Sequence, residues 1–127
     1  MARDENAVPL RTLRLRSGLS QGEIGEILGF FGDVPVSRHE AGIAIPDLRT
    51  ALGYEVIFRT PISVQFPKLF SMVEPMIEDR LADLERKLEQ QIPKGHNADR
   101  IARKLEFLCV RKDSDYRLNL TNETPNL

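Results

Sequence analysis

A chain of 127 residues holds about one ordinary domain, or a small domain with an arm, and excludes a large multidomain machine. Composition is 41% apolar, 29% charged and only 6% aromatic with no Trp, which points to a thin, helix-rich core. Eighteen Lys+Arg against nineteen Asp+Glu give a net charge of -1, so no whole-chain basic signature advertises a nucleic-acid partner, and any such reading must rest on local pattern.

The predicted elements begin with a short helix around Leu10, Leu13 and Leu15, stopped at Ser17-Gly18. Ser20 with Glu23 three residues on forms a capping box for a second helix, whose buried stripe is Ile24, Ile27 and Leu28 and whose stop is Gly29. After a turn through Phe30-Phe31-Gly32, Asp33 is the expected N-cap of a third helix with Pro35 in its first turn, ending before Gly42. A fourth helix is expected from Pro46-Asp47, carrying Leu48, Ala51, Leu52, Val56 and Ile57 and closed by Thr60-Pro61, although Tyr54 to Phe58 also reads as a strand by its β-branched and aromatic content. A short fifth segment covers Ile62 to Phe66.

Composition changes style after Phe66. Pro67 to Ile92 has no Gly and is dense in Leu, Glu, Lys and Arg. Leu69, Val73, Ile77, Leu81, Leu84, Leu88 and Ile92 recur at steps of three or four, which draws one apolar stripe along a long helix, with a kink or restart expected between Ser71 and Pro75. A second amphipathic helix follows, capped near His96 or Asn97 and carrying Ile101, Ala102, Leu105, Leu108 and Cys109. Two uses of the stripe stay open: an internal hairpin, or pairing with a second subunit through Ile77, Leu81, Leu84 and Leu88. Residues 113–127 show no period and read as a tail. The expected division is therefore a head over 1–66, a helical arm over 67–112 and the tail.

The segment LSQGEIGEILGFFGDVPVSRHEAGIAIP, Leu19 to Pro46, resembles the helix-turn-helix of the Cro/phage-repressor (Xre-type) family. Gln21 opens the second helix, Gly25 stands at the close crossing, Gly29 at the turn and Val36 at the buried position of the third helix. Ser37-Arg38-His39-Glu40-Ala41-Gly42 with Pro46 carries the most specific match, and the likeness spans residues 10 to 66. It implies an all-α, five-helix lambda-repressor-like head, with Glu40 paired inside the domain, Arg11 or Arg14 being the available partners.

A third helix of this kind enters the major groove while the second crosses the backbone. The expected DNA-contacting residues are Gln21, Asp33, Val34, Pro35, Ser37 and Arg38, with Val36 and His39 turned inward. Arg38 is the best guanine or phosphate contact, because a guanidinium bonds two acceptors at once. Up to Gln65 there are seven Arg, no Lys and eight acidic residues, so one head alone should hold DNA weakly. The expected function is a dimeric, sequence-specific transcriptional regulator, most often a repressor in that family, on a palindromic operator. The competing reading is an antitoxin or adaptor that uses the head to hold a protein partner.

An enzyme is not expected, since no Gly-rich phosphate loop and no nucleophile beside a histidine occurs. Cys109 is the only cysteine and His39 and His96 the only histidines, which leaves no metal-ligand set and calls for no cofactor. Met1 to Asn6 does not read as a signal peptide and no apolar run suits a bilayer, so a cytoplasmic protein is expected.

Overall fold

The computed structural model describes residues 8–91 and 94–114. They form seven α-helices, with no strand among the described residues: α1 Leu10–Ser17, α2 Gln21–Leu28, α3 Val34–Ala41, α4 Leu48–Phe58, α5 Ile62–Gln65, α6 Pro67–Gln90 and α7 His96–Asp113. No helix among the described residues is long and apolar enough to cross a membrane. The chain divides into two compact units, Met1–Ser71 and Met72–Leu127, so the division falls inside α6 and five residues later than the change in composition. Of the expected tail, only residues 113 and 114 lie among the described residues, and Asp113 is the last residue of α7.

In the first unit the core is Leu10, Ile24, Val36 and Tyr54, one residue from each of α1 to α4. Leu19, Leu28, Phe30, Ile57, Phe58 and Phe66 pack around it. The local signals explain why the helices are short enough to wrap it. Ser20 Oγ accepts from the Glu23 amide while the Glu23 carboxylate accepts from the Ser20 amide, each at 3.0 Å, so both ends of the capping box are made. Gly29 ends α2 and Gly42 ends α3 in the left-handed conformation, where a Cβ would be strained.

Asp33 precedes α3 but does not cap it with its side chain. Its φ of -90° and ψ of -14° are helical rather than extended, so the carboxylate makes no cap hydrogen bond and only the carbonyl is used, accepting from Ser37 N at 2.9 Å. Asp47 does cap α4, accepting from Thr50 N at 2.8 Å. Residues 54 to 58 are helical, which settles the strand alternative. Tyr54 is fully buried, and the buried Gln65 amide donates to the carbonyls of Tyr54 and Thr60, tying α5 to the end of α4.

In the second unit α6 and α7 lie antiparallel around Leu88, Ile101 and Leu108, with Leu81 and Leu105 packed against them. Arg111 grips the Glu78 carboxylate with two hydrogen bonds, of 3.0 and 2.5 Å, and Lys112 pairs with Glu85 at 2.5 Å. The hairpin alternative is therefore realised for this part of the stripe. α6 runs as one helix through Pro75, so of the kink or restart expected there the restart is absent: a proline removes one intrahelical donor, and the ladder on both sides persists.

Candidate nucleic-acid interface

The pair α2 and α3 is built so that one side of α3 is fixed and the other is free. Gly25 makes the close approach possible. A Cβ there would collide with the backbone carbonyl of Gly32 and touch Val36, so any larger residue would push α3 and its turn away from α2. The Phe30 amide donates to the Gly25 carbonyl at 2.8 Å, locking the turn onto the end of α2.

Three contacts anchor the inner side of α3. Val36 is fully buried. His39 Nδ1 shares a 2.8 Å hydrogen bond with the Tyr54 hydroxyl, and the two rings meet edge to face at 5.7 Å. Burial pushes the His39 pKa down, partly offset by the Asp47 carboxylate, and burial together with the Glu40 charge pushes the Tyr54 hydroxyl well above its ordinary value. The pair is thus neutral at physiological pH.

Glu40 supplies the third anchor. Its carboxylate accepts from Arg14 Nε at 2.6 Å and Arg14 Nη2 at 3.0 Å, and from the Gln21 amide at 3.3 Å; the same Arg14 also donates to the Leu19 carbonyl at 3.2 Å. The Glu40 carboxylate is only 4% exposed and the guanidinium 13%. This fork joins α1, α2 and α3, and of the two arginines offered as partners it selects Arg14.

Val34 and Arg38 point outward, one helical turn apart, and Ala41 continues the line. Asp33 is also exposed, whereas Pro35 and Ser37 are half-buried on the flanks. The Arg38 guanidinium has no ion pair with any described residue. Gln21 stands at the first position of α2 as expected, but its side-chain amide is engaged by Glu40 rather than presented as a free donor.

Phe31 was legible in the sequence only as part of the turn after α2. It is fully exposed at the tip of the turn, while its neighbour Phe30 packs into the core and lies 6.4 Å from the His39 ring. Two adjacent aromatics in a tight turn cannot both face inward, which is the signal that was available. Among the arm residues, Leu88 is buried and Leu81 half-buried inside the hairpin, whereas Ile77 and Leu84 are exposed. No cluster of His, Cys, Asp or Glu suited to a metal ion occurs among the described residues.

No family model matches the chain, and no curated protein or solved structure matches it.

Proposed function

We propose that this chain is a sequence-specific DNA-binding regulator of the helix-turn-helix type, acting as a repressor from a palindromic operator with two copies bound. In this reading α2, the turn and α3 are the helix-turn-helix, and α3 is the recognition helix. The observation that carries it is the outward Arg38 on a helix whose other side is held by Val36, His39 and Glu40. A guanidinium so placed meets the two acceptors on the major-groove edge of guanine without any change in the fold. Val34, one turn earlier, offers methyl groups suited to a thymine methyl. The first amides of α2 face a phosphate, a role in which they need no positive side chain. The likeness of residues 19–46 to the Cro/phage-repressor pattern supports the same reading, and a DNA-bound, cytoplasmic, non-enzymatic role follows from it.

A second reading is favoured by a specific observation. Phe31, Val34 and Asp33 together make the tip of α3 apolar and acidic, which suits a protein partner better than a phosphate-lined groove. An antitoxin or adaptor would use that tip to hold another protein.

Selection of bound fragments from random duplex DNA by the purified full chain separates the two. A regulator enriches a palindrome with a guanine in each half-site. An adaptor enriches nothing, and its weak binding is blind to sequence.

A further inference from the structure

The second unit sorts its charges along α7. With about 3.6 residues per turn, Arg100, Lys104 and Phe107 fall within about 60° of one another, and Arg103 lies about 40° beyond Phe107. Asp99, Glu106 and Asp113 gather within about 40° on the other flank. Between the two flanks, Ile101, Leu105 and Leu108 turn into the hairpin. Arg100, Arg103 and Lys104 are exposed, and none has an ion pair or hydrogen bond among the described residues. The next two cations differ: Arg111 is committed to Glu78 and Lys112 to Glu85. Phe107 stands 65% exposed among the three free cations. α6 shows no such sorting, since Asp79 and Asp83 stand among its Arg80, Arg86 and Lys87, and Asp83 pairs with Arg86.

We infer that Arg100, Arg103 and Lys104 form a second DNA contact, a cationic strip on α7 that holds the sugar-phosphate backbone of a duplex without reading its bases. Arg100 and Lys104 are about 6 Å apart along the helix axis, close to two steps of the roughly 3.4 Å axial spacing of phosphates on one strand. A guanidinium at each arginine bonds two phosphate oxygens at once, and Phe107 offers its ring to the sugar between them. An anionic bilayer is the other extended array of phosphates. A helix that lies on one buries a continuous apolar face below its basic edges, and that face of α7 is already taken by α6, which leaves only Phe107 and Val110. The strip also supplies what the head lacks. Up to Gln65 there are seven Arg, no Lys and eight acidic residues, and Arg14 is tied to Glu40, whereas sequence-independent affinity comes from cations that neutralise phosphates. The choice of duplex DNA as the polyanion rests on the proposed function; the sorting of charge does not.

The test is the salt dependence of binding by the full chain, read by fluorescence anisotropy on a random-sequence duplex and on the selected operator between about 50 and 200 mM salt. The triple variant Arg100→Gln/Arg103→Gln/Lys104→Gln should bind both duplexes more weakly by the same factor. Its slope of log affinity against log salt should be shallower by about 2.7, or about 0.9 for each phosphate no longer neutralised, while its preference for the operator and its helical circular dichroism stay as in the wild type. Arg80→Gln/Arg86→Gln/Lys87→Gln removes the same charge from α6 and should leave the slope near that of the wild type. If the triple α7 variant loses its helical signal, the three single variants decide, each lowering the slope by about 0.9. An α7 variant with the wild-type slope, or an α6 variant that lowers it equally, would overturn the inference. So would a wild type that binds vesicles of anionic lipid through the strip but no duplex. Operator selection that survives with an unchanged slope removes the strip and leaves the regulator reading; strip-dependent binding that selects no operator does the reverse.

Discussion

At the scale of single residues, the head depends on a few polar contacts made with little exposure to solvent. Glu40 is nearly inaccessible, and Arg14 gives it most of its compensation. Removing one partner of a pair this covered leaves an unpaired charge, which costs about 3–5 kcal/mol. Arg14→Ala should therefore lower the stability of the head by that order in urea unfolding, and an Arg14→Ala/Glu40→Ala double variant should recover part of the loss. A cost near zero for the single variant would show the pair to be ornamental.

His39 makes the head sensitive to acid. Its folded pKa lies below the ordinary 6.5, so the unfolded chain takes up the proton more readily than the native head. Stability is then complete well above pH 6.5 and declines as the pH falls through that value. The hydrogen-bonded caps Glu23 and Asp47, whose carboxyl pKa values are also held down, extend the decline into the carboxylate range. Thermal melts of the wild type should thus drop between pH 7.5 and 5.5, and His39→Gln should flatten that part of the profile. A midpoint that is level across the range in the wild type would refute the role given to burial at His39.

Elements differ in how plainly they could be read. The helix ends were legible because each is set by a local mechanism: the Ser20–Glu23 box, the left-handed Gly18, Gly29 and Gly42, and the Asp47 cap all act within four residues. The helical state of residues 54–58 was not, since β-branched and aromatic content cannot tell a strand from a helix whose buried face is Tyr54. Of the kink or restart expected before Pro75, the restart does not occur: the local penalty was visible, but the long ladder that carries the helix through it was not. The stripe on α6 was legible as a stripe but not as two. Leu81 and Leu88 turn toward α7, while Ile77 and Leu84 lie a few tens of degrees around the helix and stay exposed. Leu88→Ala should therefore cost about 2–5 kcal/mol of the stability of the second unit, whereas Leu84→Asp should cost little, read by unfolding of the two variants side by side. Equal losses would mean that Leu84 is as deeply packed as Leu88.

At the scale of the whole molecule, a head with few cations is proposed to bind DNA in two copies. The outward face of α3 was legible in Val34 and Arg38, whose positions follow from the inward Val36 by helical period alone. The roles of Gln21 and Phe31 were not, because they depend on which neighbour claims each side chain. The claim at the centre is that Arg38 reads a base. It is tested most directly by titrating the wild type and Arg38→Ala against the selected operator and against a copy with the half-site guanine replaced, at fixed salt. The wild type should prefer the guanine by about 1–3 kcal/mol, and Arg38→Ala should lose that preference while the head stays folded. A variant that still discriminates between the two duplexes as the wild type does would contradict the account.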